Sequence, residues 1–159
     1  MADRDAPTWT PAGAAFTDLL MRTFLLERRL SAAGEALAQS AGLSLARWLV
    51  LESIQHEPAT VAEIGRRLSL ARQGVLRLAD LLVSDGHARY EENPRHQRAK
   101  LLVLTDAGQA ALRVVQRGQR EWAGRLGERL GAERLRAASE VLDAMLAAVT
   151  ADMPHSPER

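Results

Sequence analysis

The 159-residue chain contains no cysteine. That absence removes disulfides, thiolate zinc sites, iron–sulfur clusters and nucleophilic cysteine chemistry together. Nor does any stretch approach the about 18 consecutive apolar residues of a membrane-spanning helix, and the amino terminus, MADRDAP, is polar with no apolar run behind it. The expectation is a soluble, cytoplasmic protein with no membrane partner. Lysine is nearly absent too, because Lys100 is the single lysine among 21 basic residues. There is no glycine-rich phosphate loop, no internal repeat and no Ser/His/Asp set that can be ordered. The four histidines, His56, His87, His96 and His155, are scattered without helical ligand spacing. The sequence therefore gives catalysis little support and predicts neither a metal nor a cofactor.

Hydrophobic residues make up 47% of the chain, enough for the core of one ordinary domain. The net charge is only +1, so the placement of charge matters more than its sum. From Pro11 to about Ala41, Phe16, Leu19, Leu20, Phe24, Leu26 and Leu30 recur at helical spacing, which predicts one amphipathic helix. Ser44 then precedes Leu45, Trp48 and Leu49, a second helix with an N-cap that should close at Glu57-Pro58. Residues 1–11 and 152–159 read as loose ends.

The informative region starts at Thr60. The segment TVAE pairs Thr60 with Glu63 at the spacing where each side chain satisfies the other's free backbone N–H, so a helix of about eight residues should begin there. Ile64 and Leu68 lie on its inner face, with Arg66 and Arg67 opposite. A short link leads to ARQGVLRLADLLVSDG, in which Val75, Leu78, Ala79 and Leu82 form a second stripe and Asp85-Gly86 a stop. Two short helices joined tightly, the second opening on Arg72, Gln73 and Arg77, have the layout of a helix-turn-helix. In that motif the second helix enters the major groove of DNA. A winged-helix module that binds protein instead should expose an apolar or acidic face over residues 71–77, and the arginines there favour DNA. After Gly86 the helical period is lost: HARYEE and AKLLVL read as strands joined by NPRHQR. Such a hairpin is a wing whose charged turn could reach phosphates or the minor groove. Thr105 should cap the long helix that follows.

Residues 60–108, TVAEIGRRLSLARQGVLRLADLLVSDGHARYEENPRHQRAKLLVLTDAG, resemble the winged helix-turn-helix of the MarR (multiple antibiotic resistance regulator) transcription factors, with RAKLLVLTDAG, Arg98 to Gly108, as the most specific piece. Counting the helices before and after, the resemblance covers roughly residues 12–150. It implies a mainly α (α+β) fold: a winged helix-turn-helix with a two-stranded β-wing, flanked by N- and C-terminal dimerisation helices. On this reading residues 1–159 are a single domain, 12–41 and 106–150 form dimerisation helices, and 44–105 form the DNA-binding part. The implied function is a ligand-responsive repressor that binds a pseudo-palindromic operator as a homodimer. The implied DNA contacts are Thr60, Arg72, Gln73, Gly74 and Arg77 in the helix-turn-helix, and Arg95, His96, Arg98 and Lys100 in the wing. A small aromatic or anionic effector is implied as well, with Phe24 and Trp48 as candidate pocket residues.

The chain departs from the family pattern at three positions. Ala71 opens the recognition helix where Ser or Thr is usual, which leaves Ser69 as the expected cap from further back. Gly74 interrupts the same helix, where close backbone approach to DNA would suit it. His96 stands where the commoner wing has Asp two residues before its arginine. Some members of the family sense peroxide through a thiol, a route closed to a chain without cysteine.

Overall fold

A computed structural model describes residues 9–94, 96 and 98–152 of the chain. Its order is α1 (Pro11–Gln39), α2 (Leu45–Ser53), β1 (Ala59–Thr60), α3 (Val61–Leu68), α4 (Arg72–Ser84), β2 (Ala88–Glu91), β3 (Leu101–Leu104), α5 (Asp106–Leu130) and α6 (Ala132–Asp152). This is the mainly helical winged fold expected, with a small antiparallel sheet. The chain divides into two compact units, one ending at Val115 and the other beginning at Gln116, within α5. No helix among the described residues is long and apolar enough to cross a membrane.

In the first unit, local chemistry sets most helix starts. Thr10 accepts from the Gly13 N–H at 3.0 Å, and Pro11 supplies the preset φ of a first helical residue. Ser44 caps α2 by accepting from the Arg47 N–H at 3.3 Å. At α3 both halves of the capping box are present, with the Thr60 N–H donating to Glu63 Oε2 at 2.7 Å and the Glu63 N–H to Thr60 Oγ1 at 3.3 Å. The Thr60 N–H, and the Thr60 hydroxyl donating to the same Oε2 at 2.8 Å, hold the Glu63 carboxyl below its ordinary range, with Arg66 and Arg67 adding a smaller pull.

Two expectations need correcting. Helix α2 ends at Ser53, short of Glu57-Pro58, because its last carbonyl is taken by Arg67 Nη1 at 2.9 Å instead of by a further helical turn. Ser69 does not cap the recognition helix: it sits at φ 53° as the left-handed residue closing α3, and Ala71 opens α4 with no side-chain cap. The link is tight, since the Leu70 N–H donates to Gly65 O at 2.9 Å and a Cβ on Gly65 would lie 2.9 Å from the Leu70 oxygen. The two-stranded wing expected is present as β2 and β3, and the sheet gains one further strand. Ala59 and Thr60 pair with Leu102 and Leu101, making a three-stranded sheet in the order β1-β3-β2. On the other side of β3, Ala88 to Glu91 pair with Leu104 to Leu101.

The core of this unit gathers Leu43, Val50 and Leu51, Ile64 of α3, Val75, Ala79 and Leu82 of α4, Leu102 of β3 and Leu112 of α5. Every third or fourth residue of α4 is therefore consumed inward, and its other faces are left for solvent. Arg47 fixes the far end of α4, with Nη1 on Asp85 Oδ2 at 2.5 Å and Nη2 on the Gly42 oxygen at 3.0 Å. Gly86, at φ 77°, makes the turn into β2, and its carbonyl accepts from Thr105 Oγ1 at 2.7 Å. Thr105 also accepts from the Gly108 N–H at 3.1 Å, the cap expected for α5. Here α5 passes against the start of the wing so closely that a Cβ on Gly108 would overlap the His87 carbonyl oxygen.

Candidate nucleic-acid interface

Inward packing of Val75, Ala79 and Leu82 leaves Arg72, Gln73, Gly74, Leu76, Arg77 and Asp80 exposed on the outer side of α4. Gly74 faces open space, with nothing within 4 Å of where a Cβ would stand. Antiparallel pairing of β2 with β3 brings the connecting loop, residues 92–100, alongside. That loop folds on itself through His96 N–H to Asn93 O at 3.1 Å and Ala99 N–H to His96 O at 3.0 Å. His96, Arg98 and Lys100 are exposed on it, whereas Arg95 lies outside the described residues.

Helix and wing meet at a depression of about 310 Å³ whose lining includes Arg72, Leu76 and Asp80 from α4, Tyr90 from β2, and Arg98 and Lys100 from the loop. Three cations from segments far apart in sequence thus share one concave surface. Among the described residues none of Arg72, Arg77, Arg98 and Lys100 forms an ion pair, so their charge is available to a ligand. Thr60 lines the same depression but is only 8% exposed, and its hydroxyl is committed to Glu63, accepting from the backbone N–H and donating to Oε2 at 2.8 Å. It also lines a second depression, of about 600 Å³, that His96 borders together with Glu57, Glu63 and Arg66. Gln73 and Arg77 face a third, of about 350 Å³, on the outward side of α4.

Two residues absent from the sequence reading support this surface. Tyr90 donates its hydroxyl to Asp80 Oδ1 at 2.9 Å, fastening the wing to α4. Burial, then the bond to Asp80 and its charge, push the phenol up to about 12. A group whose folded pKa is raised contributes stability that is complete below its ordinary value and is lost as pH climbs through the folded one. Tyr90→Phe is accordingly expected to lower the unfolding free energy by about 1 kcal/mol at neutral pH. Wild type should shed that increment as pH rises from 10.0 to about 12, and the variant should not. Urea midpoints measured at neutral pH and near pH 11 check this, and equal midpoints for the two proteins at neutral pH would sink it. No local signal reveals the pair, since it depends on strand register. Leu76 was findable, being four residues past Arg72 on the same face.

Phe24 and Trp48 are differently placed. Trp48 is a core residue, 6% exposed, with Nε1 donating to Glu52 Oε2 at 3.0 Å, whereas Phe24 is 57% exposed on α1. Neither lines the depressions beside the wing.

Comparison with known proteins places these features in context. A family model described as MarR family matches residues 41–99. A protein of Mycobacterium tuberculosis, described as uncharacterized, is 34% identical over 136 residues, spanning 86% of this chain and 95% of that protein. Among solved structures, MarR of Staphylococcus aureus in complex with salicylate and kanamycin superposes with a TM-score of 0.78 at 15% identity, covering 88% of this chain and 95% of that one. A MarR family regulator of Streptomyces coelicolor in complex with DNA gives 0.74 at 20% identity, covering 91% and 92%. A mutant MarR from E. coli complexed with operator DNA gives 0.74 at 23%, covering 83% and 96%. These three likenesses establish the fold.

Proposed function

The chain belongs to the MarR family, and from that premise we propose that it is a ligand-responsive transcriptional repressor binding a pseudo-palindromic operator as a homodimer. The observation that carries the DNA-binding half is the depression where Arg72, Arg98 and Lys100 converge, forming no ion pair among the described residues, while its one carboxylate, Asp80, accepts from Tyr90. Cations so placed gain by displacing the condensed counter-ions of a duplex. On this reading α4 lies in the major groove with Arg72, Gln73 and Arg77 toward base edges, while Arg98 follows the adjacent minor groove. Gly74 permits close backbone approach, and Arg95, His96 and Lys100 extend the wing contact. Thr60 acts through its cap, holding α3 in place.

The dimer half rests on surface that one chain leaves uncovered. Helix α1 exposes Phe16, Met21, Phe24, Leu25, Leu26 and Leu30, and α6 has no buried residue while exposing Leu135, Val141, Leu142, Leu146 and Val149. So many exposed large apolar side chains on each helix call for a partner. A second copy fits, because a two-fold protein matches a two-fold site. Residues 12–41 and 106–150 would form the interface and 44–105 the DNA-binding part. The effector, by analogy with the salicylate bound in the S. aureus relative, is a small aromatic anion.

Two substitutions test the DNA reading because they should fail differently. Arg98→Ala is expected to weaken binding to every duplex, most at A·T-rich flanks, and to lower the salt slope by roughly one unit per phosphate-neutralising charge removed per subunit. Gln73→Ala should cost about 1–3 kcal/mol at the preferred site and relax base preference there. Titrations at several salt concentrations on operator and scrambled duplexes separate the two. Wild-type behaviour of Arg98→Ala at every salt concentration would leave the wing as a solvated hairpin tip.

A further inference from the structure

The exposed side of α4 carries a leucine that neither the core nor a helix cap uses. Leu76 is 38% exposed and lines two depressions at once, with Arg72 and Arg98 on the wing side and Gln73 and Arg77 on the other. It is thus an apolar ridge with cations on both sides and with Asp80, which accepts from Tyr90, one turn further along. On a surface built for an anion, such a side chain gains nothing from phosphate. The major groove offers one apolar feature at base level, the C5-methyl group of thymine. We propose that Leu76 is a specificity-determining residue that packs on a thymine methyl in each half-site, an inference that rests on the DNA-binding reading above.

Position and chemistry both favour Leu76. It lies roughly 6 Å along the helix axis from Arg72, within the first turns that face base edges. Leu81, although 47% exposed, lies roughly 13 Å along, beyond those turns. Leucine can hydrogen-bond neither the O4 of thymine nor the N4 of cytosine, so it favours thymine through the C5-methyl that cytosine lacks.

The experiment replaces each thymine of an operator, selected from genomic fragments, with deoxyuridine, which removes only the methyl. Wild type is expected to lose about fourfold in affinity per half-site at one thymine position, the equivalent of about 0.8 kcal/mol for one buried carbon. Leu76→Ala should be indifferent to the change at that position, and Leu81→Ala should respond as wild type does. Full methyl sensitivity in Leu76→Ala, or indifference of wild type at every thymine, overturns the proposal while leaving sequence-selective binding intact. Absence of any salt-dependent duplex binding by wild type removes the DNA reading and this inference with it.

Discussion

Leu146→Glu is expected to turn the protein into a monomer and to weaken operator binding by about 10²–10⁴-fold, the advantage that linking two half-site readers confers. Leu146 is 67% exposed on a helix with no buried residue, so a single folded chain neither needs nor hides it. In the proposed dimer the same position would be buried, and a carboxylate there would face apolar surface without a partner, at a cost of several kcal/mol. Light scattering should report about twice 17.4 kDa for wild type and 17.4 kDa for the variant. Circular dichroism should retain the first unit, whose core lies in other helices, while α6 loses some helicity for want of packing. A variant that remains dimeric at micromolar concentration and binds its operator as wild type does would place the interface elsewhere.

Gly108→Ala is expected to destabilise the fold by about 3 kcal/mol, although alanine is the better helix former by about 1 kcal/mol. Steric overlap decides the sign. The added carbon would overlap the His87 carbonyl oxygen and come within 2.8 Å of Leu104 Cδ1, and the first of these is backbone that no rotamer change can move. Thr105 holds the crossing from the other side by donating to the Gly86 oxygen, so α5 cannot simply step back. Gly124, in the same helix with nothing within 4 Å, is the control, and its alanine variant should be stabilised by up to about 1 kcal/mol. Thermal melts of the two variants settle the comparison, and a Gly108→Ala protein as stable as wild type would mean the crossing yields.

What was legible in the sequence follows from the range of each interaction. The Thr60–Glu63 box, the Ser44 cap and the stop at Asp85-Gly86 close within a few residues, so their signals sit side by side in the chain. The wing strands and the arginines opening α4 were readable for the same reason. Strand β1 was not: Ala59 and Thr60 offer two residues to a partner some forty positions away, and the cap explained Thr60 without any strand. Ser69 was misassigned because a hydroxyl before a helix suggests a cap, whereas the tight link required a left-handed residue there. The convergence of Arg72 with Arg98 and Lys100, like the Tyr90–Asp80 bond, depends on strand register, which periodicity leaves free.

The three-stranded sheet also has a bearing on what happens when many copies are crowded together. A sheet edge is a template on which a foreign strand can add, and edge-to-edge growth is a common route to insoluble protein. Both edges here are poor templates. On one side β1 offers only Ala59 and Thr60, directly behind Pro58, which has no N–H to donate. On the other, β2 is four residues long and carries Arg89 and Glu91, paired with each other at 2.6 Å, so an incoming strand would have to desolvate an ion pair to add alongside. The most apolar strand, Leu101 to Leu104, is the one enclosed between them, paired with β2 along its length and with β1 at Leu101 and Leu102.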